Sequence, residues 1–402
     1  MTEEKNTSKK PDTCNNNNNH PNLSWSEQEM PQKKRTKHVH GLHPYLGKYV
    51  PQLVEYFLKT YFKPGDTVLD PFVGSGTSVV ESNILGINSL GVDISVFNIL
   101  LCKVKTAEYD FNILTNEIRD ITRRIKEFSE STKKKVNDSI TNYLPKQDEE
   151  LKVLPHDLSE YIIKWYTAES QRELLYYKKL IPEYHYQDVL KIILTRSARS
   201  ARLAPHYELD WPKEPMTEPY YCRKHARICY PTSGAYKFLK TYGENTLKRL
   251  KKFSELKTEA QMSFLHGDSR IIDFGQKITG VMTSPPYVGV IDYHLQHQYA
   301  YEFLALEDYR EMEIGPKAKG NSKTAQKNYA QGIKDVLKNC LKQMDEDSTG
   351  PLIFVVNDKN NLYDEICNTV GLTISEKVTR KVDRRSGRRA GEYYEDVLIL
   401  RK

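Results

Sequence analysis

A chain of 402 residues can bury a sizeable core, over one domain or two. Its 60 Lys and Arg against 53 Asp and Glu leave a net charge of +7, which suits a polyanion partner without demanding one. No apolar run is long enough to span a bilayer, so no membrane partner is expected, and the start Met1-Thr2-Glu3-Glu4-Lys5 lacks the apolar stretch of a secretory leader. Six scattered cysteines, at 14, 102, 222, 229, 340 and 367, do not look like a disulfide framework and point to a reducing, cytoplasmic setting.

Taken in order, residues 1–36 are polar, with the run Asn15 to Asn19 and the basic patch Lys33-Lys34-Arg35, and are expected to be a disordered tail. Order is expected from about His38. Leu53, Val54, Phe57, Leu58 and Phe62 have helical spacing. Pro64-Gly65-Asp66 then turns the chain into a short strand, Thr67-Val68-Leu69. Asp70-Pro71-Phe72-Val73-Gly74-Ser75-Gly76-Thr77 follows, then a helix closed near Gly86, then a second strand ending at Asp93. This strand, glycine loop, helix, strand and acid make the first half of a doubly wound nucleotide-binding unit.

From about 110 to 261 the pattern changes to amphipathic helix, over 113–128, 158–180, 187–200 and 235–253. Alternation resumes with a strand from Met262 towards Asp268, and another ending at Thr283-Ser284-Pro285-Pro286-Tyr287. Two prolines cannot continue a ladder, so the backbone leaves the sheet there. The segment after Tyr287 is expected to be helical. A strand over 350–356, a helix over 362–370, and two strands over 372–382 and 394–400 complete the chain. The expected fold is α/β: a doubly wound, Rossmann-like, mostly parallel sheet with an antiparallel C-terminal strand and a large helical insertion. Residues 37–109 and 262–402 form its catalytic domain, and 110–261 the insertion.

Gly74 and Gly76 let backbone N–H groups approach a ligand, beside a helix N-terminus that favours negative charge. No Lys-Ser/Thr pair makes this a Walker loop, and the spacing is not that of a dinucleotide fingerprint. Asp93 is placed to accept from a ribose and Asp268 from an adenine amino group. Each acid alone reads equally as a strand-end turn residue.

The loop DPFVGSGT at 70–77 resembles the cofactor motif of S-adenosylmethionine-dependent DNA amino-methyltransferases. TSPPY at 283–287 resembles their catalytic motif, Ser/Asp/Asn-Pro-Pro-Tyr/Phe/Trp. His43-Pro44-Tyr45-Leu46-Gly47-Lys48 is similar to the family's His-Pro-x-x-Lys-Pro segment, with the lysine one residue further on. HGDS at 266–269 is similar to its Gly-Asp element. The resemblance covers roughly 38–109 and 262–402. It implies a methyltransferase sheet with S-adenosylmethionine held by His43, Pro44, Lys48, Asp70, Pro71, Phe72, Gly74, Ser75, Gly76, Thr77, Asp93, Asp268 and Thr283. It places catalysis at Ser284, Pro285, Pro286 and Tyr287.

An exocyclic amino nitrogen is a poor nucleophile because its lone pair is delocalised into the ring. Acceptors on both its protons, the Ser284 hydroxyl and the Pro285 carbonyl, would localise that pair, and Tyr287 would stack on a flipped base. In this family serine at the first motif position goes mainly with cytosine N4 and aspartate mainly with adenine N6. Cytosine N4 in double-stranded DNA is therefore the expected target, with adenine N6 and RNA as alternatives. A cognate restriction endonuclease is the implied companion.

The insertion then becomes the expected target-recognition region, with DNA contacts from Arg196, Arg199, Arg202, Lys224 and Arg227. The turn carrying Arg384, Arg385, Arg388 and Arg389 is expected on phosphates. A solvated charged face is the plain alternative for each. Cys222-x-x-His225-x-x-x-Cys229 offers three metal ligands with no fourth at a standard spacing. His206 or Cys102 would have to be recruited, so no metal is expected. Asp292 to His297 either face the substrate pocket or lie on a helix surface.

Overall fold

The structure, a computed structural model, describes residues 20–141, 158–383 and 392–402. After the short helix α1 (Gln32–Arg35) and a 3₁₀ turn at His38–Gly41 comes α2 (Pro51–Tyr61). Pro51 opens α2 at its first turn, where its missing N–H costs nothing, and Leu53, Val54, Phe57 and Leu58 are buried. The α/β unit follows as β1 (Thr67–Asp70), α3 (Thr77–Ile84), β2 (Asn88–Asp93) and α4 (Val96–Thr106). Ser95 caps α4 by accepting from the Asn98 N–H.

The insertion holds α5 (Phe111–Thr141), α6 (Glu160–Trp165), α7 (Ala168–Leu180), α8 (Gln187–Ala201), the hairpin β3 (Tyr220–Cys222) and β4 (Arg227–Cys229), and α9 (Tyr236–Ser254). The chain re-enters the sheet with β5 (Met262–His266) and β6 (Gly280–Thr283). It continues through α10 (Tyr293–Gln296), α11 (Gln298–Leu304), α12 (Lys323–Gln343), β7 (Leu352–Val356), α13 (Tyr363–Thr369), β8 (Thr373–Lys381) and β9 (Tyr394–Arg401).

The seven-stranded sheet has the order β5-β2-β1-β6-β7-β9-β8. The first five strands are parallel, and β9 runs antiparallel between β7 and β8. Strand β1 leads outward through β2 to β5, and the chain then crosses to β6 on the other side of β1. The switch point, where such sheets bind ligands, is therefore the gap between the tips of β1 and β6. Those tips are Asp70 and Thr283. All of β7 is buried, as expected of a strand covered on both faces. Its side chains alternate between two cores: Leu352, Phe354 and Val356 pack with α12 and α13, and Ile353 and Val355 pack with α2.

The α/β reading and the insertion between second and third core strands stand in the structure. Three details differ from expectation. Residues 20–36, expected in the disordered tail, pack on the body. Leu23 is buried, His20 bonds Tyr56 and Glu376, and the Lys381 N–H donates to Ser24. Trp25 also packs on this core, and the Gln52 amide donates to the Lys34 carbonyl, so several contacts share in offsetting the cost of ordering the segment. The expected 158–180 helix breaks into α6 and α7, because Thr167 caps a new start by accepting from the Ser170 N–H. The β3–β4 hairpin was not anticipated.

The insertion helices share a core with the sheet domain rather than building their own. Leu114, Ile118, Leu190, Ile193 and Leu239 pack in one cluster with Phe97 and Leu101 of α4 and with Tyr299 and Phe303 of α11. Polar ties reinforce this. The Arg249 guanidinium donates to the carbonyls of Thr36 and His38, and the buried Glu81 takes Lys37 at 2.8 Å and His40 at 2.6 Å. Among the described residues no helix is long and apolar enough to cross a membrane.

Candidate active site at the carboxyl edge of the sheet

The polar groups at the strand tips open onto one cleft of about 820 Å³, measured out to its mouth. Lys48, Pro71, Phe72, Gly74, Ser75, Thr77, Asp93, Asp268, Ser284 and Pro286 line it, as anticipated. Tyr45, Tyr49, Ser95, Asn98, Tyr293, His294 and Glu313 join them, with Ile94, Met312 and Ile314 as apolar wall. Of the segment 292–297, Tyr293 and His294 face the cleft. His297 is instead buried beside Phe97 and Tyr45.

Asp70 does not line the cleft; it is the peg beneath it. Its buried carboxylate accepts from the Phe72 N–H at 3.1 Å, Thr283 Oγ1 at 2.6 Å, Tyr49 OH at 3.3 Å, and Ser78 Oγ. It thus locks the glycine loop to the tip of β6. Burial raises its pKa to about 6, against the pull of these donors. Thr283 is likewise below the floor. Gly76 starts α3 in a left-handed conformation, φ +76°, and a Cβ there would meet Cys102 Sγ at 2.9 Å. At Gly74, φ +47°, the obstruction would be the Tyr45 hydroxyl, also at 2.9 Å.

At the tip of β2, Asp93 Oδ2 accepts from the Gly74 N–H at 2.9 Å and Asn98 Nδ2 at 3.0 Å, and Oδ1 from the Ser95 N–H at 2.8 Å. It holds the glycine loop from the other side and keeps acceptor capacity on Oδ1. Asp268 is held by a bidentate pair with Arg270, with Nε at 2.9 Å and Nη2 at 2.6 Å. Fixed this way it faces the cleft as part of an ion pair rather than as a bare acceptor. Among the described residues Ser75 Oγ and Thr77 Oγ1 are buried without a partner. Orphaned hydroxyls lining a cleft are donors awaiting a ligand.

Lys48 also reaches the cleft, its Nζ donating to the His40 carbonyl at 2.5 Å. Burial, then the neighbouring Lys105 and Arg249, push it down to about 7. His43 and Pro44 do not reach the cleft. His43 is buried, its ring packed on Phe97 and Tyr299 and its Nδ1 bonded to the Pro44 carbonyl, and burial drives its pKa well down. Tyr45 takes the place assigned to them.

At the Pro-Pro turn the Ser284 hydroxyl donates to the Val355 carbonyl of β7 at 3.0 Å. Its proton is thereby committed and its oxygen lone pairs are left to accept. Among the described residues no hydrogen bond reaches the Pro285 carbonyl oxygen. Tyr287 lies outside the cleft lining, with its hydroxyl donating to Glu395 of β9 at 3.1 Å. Across the cleft His294 is bonded through Nδ1 to Glu313, and its Nε2 takes the Tyr309 N–H at 3.3 Å.

Of the arginines expected on DNA, three are engaged within the protein. Arg202 is buried, stacked on Tyr299 and donating to the Leu209 and Arg199 carbonyls. Arg196 lies over the Tyr242 ring at 4.2 Å and donates to Asn245, and Arg199 pairs with Asp210. Helix α8 is packed against α9, α11 and α7, so its arginines are used to join helices. Lys224 and Arg227 are exposed on the β3–β4 hairpin. Arg384, Arg385, Arg388 and Arg389 lie outside the described residues.

A parallel sheet with a glycine loop after its first strand, an acid at the next tip and a Ser-Pro-Pro turn at the switch point defines a doubly wound α/β methyltransferase fold. Comparison with known proteins narrows the class. A family model described as DNA methylase (the N6/N4 methyltransferase family) matches residues 1–103. The chain is 38% identical to the type II methyltransferase M.MjaII of Methanocaldococcus jannaschii, over 92% of this chain and 82% of that protein. Shorter matches join it to M.BsoBI of Geobacillus stearothermophilus, 29% identical over 26% of this chain and 20% of that one. M.MvaI of Kocuria varians is 34% identical over 23% and 21%. The chain belongs to the DNA amino-methyltransferase family.

Proposed function

We propose that this chain transfers a methyl group from S-adenosylmethionine to the exocyclic N4 of cytosine in duplex DNA, as the modification arm of a restriction system beside a cognate endonuclease. The observation that carries the base assignment is Ser284. Its hydroxyl proton is held by Val355, so its oxygen accepts from a target amino group. The Pro285 carbonyl, which no hydrogen bond reaches among the described residues, is the second acceptor. Together they would pull the amino lone pair out of conjugation. An aspartate here, the residue associated mainly with adenine targets, would put a carboxylate on the turn in place of the hydroxyl.

S-adenosylmethionine, when bound, supplies an electrophilic methyl on sulfonium. The chain's residues fit it. The partnerless Ser75 and Thr77 hydroxyls and the α3 N-terminus suit its carboxylate. Asp93 Oδ1 suits a ribose hydroxyl, and Phe72 and Ile94 offer apolar surface for the adenine. Tyr287, fixed by Glu395, would stack on the flipped base. Lys224 and Arg227 supply phosphate contacts from the hairpin.

The deciding experiment incubates the protein with methyl-labelled S-adenosylmethionine and mixed-sequence duplex DNA, then digests to nucleosides. N4-methylcytosine is expected. N6-methyladenine would overturn the base assignment, and label found only in added RNA would overturn the DNA substrate.

A further inference from the structure

The β3–β4 hairpin carries a cluster that the methyl-transfer site does not use. Cys222 ends β3 and Cys229 ends β4, and the register Tyr220↔Cys229 and Cys222↔Arg227 puts both thiols on the buried face. The turn between the strands is tight. The His225 N–H donates to the Cys222 carbonyl at 3.1 Å, and Ala226 takes a left-handed φ of +50°. That turn folds the His225 ring back over the thiols. His206, from the loop after α8, comes in from the other side, held by its N–H donating to the Tyr220 hydroxyl at 3.1 Å.

We propose that Cys222, Cys229, His206 and His225 bind one zinc ion in a closed tetrahedral site that pins this hairpin. His206 is the fourth ligand that sequence spacing alone did not provide; Cys102 lies elsewhere, against Gly74 and Gly76. The four ligand atoms lie within 4.8 Å of one another. Cys222 Sγ is 3.6 Å from His225 Nδ1 and 3.9 Å from His206 Nδ1, and Cys229 Sγ is 3.5 Å from His225 Nδ1. Bonds of about 2.3 Å to sulfur and about 2.0 Å to nitrogen at the tetrahedral angle require sulfur–nitrogen separations of about 3.5 Å. Two thiolates and two imidazoles are the donor set that selects zinc.

The hairpin's own packing points the same way. Each strand has three residues, and its apolar cluster is Tyr220, Cys222 and Cys229 with Met216. Tyr221, Ile228 and Tyr230 face outward, 58%, 55% and 72% exposed. So short a ribbon with so little core is marginal in water, and a structural ion is the usual staple for such an element. Four protein ligands leave no open position for water, so the ion serves structure and not the methyl transfer. The loop that carries His206 also touches the segment beyond the Ser-Pro-Pro turn. Lys317 lies over the Trp211 ring at 5.3 Å, and its N–H donates to Ile291, four residues beyond Tyr287. The metal would therefore fix the turn that carries the exposed Arg223, Lys224 and Arg227.

The test measures metal in the full chain, purified under reducing conditions, by plasma mass spectrometry and non-denaturing intact mass. One zinc per chain is expected, lost in the Cys222→Ser/Cys229→Ser variant. Replacement by cobalt should give the visible bands of a tetrahedral cobalt thiolate in the unmutated chain, which keeps the test valid if the variant folds poorly. His206→Ala should release zinc to a chelator faster. Four outcomes would overturn the site: a chain that neither holds nor takes up added zinc, stoichiometric iron instead, zinc retained in the double variant, or a Cys222–Cys229 disulfide in non-reduced peptides. A DNA-binding arm rests on the proposed DNA substrate; its failure alone, with zinc present, would count against that reading and not against the metal.

Discussion

Asp93, Asp268, Ser284 and Lys48 converge on one cleft, whereas Arg196 and Arg199 on α8 and Arg202 at its C-cap are bound up among helices. Both groups are candidate functional residues in the sequence, the cleft residues through motifs and the arginines through charge alone. The difference lies in what sets their direction. Parallel strands end at one edge of the sheet, so polar residues just beyond β1, β2, β5 and β6 gather there whatever the side chains do. A helix has no such common edge. The side an arginine takes depends on which neighbours cover the helix, and α8 is covered by α7, α9 and α11. Charge on a buried helix therefore becomes internal cement, and charge on an exposed hairpin stays free for a partner.

The contrast can be broken at four places. Ser284→Ala removes an acceptor made for the transition state; kcat should fall on the order of 10²-fold to 10³-fold while S-adenosylmethionine affinity, read by calorimetry, is unchanged. A loss of cofactor affinity instead would move Ser284 out of the acceptor role. Arg202→Ala should cost roughly 2–4 kcal/mol in denaturant unfolding, because three hydrogen bonds from a charged group, to the Arg199 and Leu209 carbonyls and the Tyr161 hydroxyl, and a ring stack go with it. An unchanged unfolding midpoint together with weaker DNA binding would put Arg202 back on the DNA side of the comparison.

Asp70 tests the peg beneath the cleft. Burial holds its folded pKa at about 6 against an ordinary 3.8. A raised acid is protonated first in the folded state, so its contribution to stability grows as pH falls from about 6 to about 4, by on the order of 2–3 kcal/mol. Asp70→Asn should flatten that part of the profile relative to the unmutated chain; parallel profiles would contradict the burial of this carboxylate. The smallest effect belongs to Lys224→Ala. It should leave stability within about 0.5 kcal/mol and lower the salt dependence of DNA binding by roughly one counterion. An unaltered salt slope would remove the hairpin from the interface.

Reading the chain alone found the glycine loop, the strand-tip acids and the Ser-Pro-Pro turn, because each follows from short-range chemistry. Glycines are needed where φ is positive, prolines end ladders, and apolar alternation marks strands. The same reading placed His43 in the pocket where Tyr45 stands. Adjacent loop residues point in different directions, and only the packing of His43 on Phe97 and Tyr299 decides between them. It also left Glu313 and Met312 unassigned, since they reach the cleft from a loop without motif or period.

The sequence by itself determined the α/β alternation, the position of the insertion and the place of the Ser-Pro-Pro turn, since those depend on residues near one another in the chain. Tertiary structure alone decided which arginines are buried, that Asp70 supports the floor rather than lines the cleft, and that His206 joins Cys222, His225 and Cys229. Each of those rests on residues far apart in sequence, and their side chains meet only once the helical insertion has packed against the sheet.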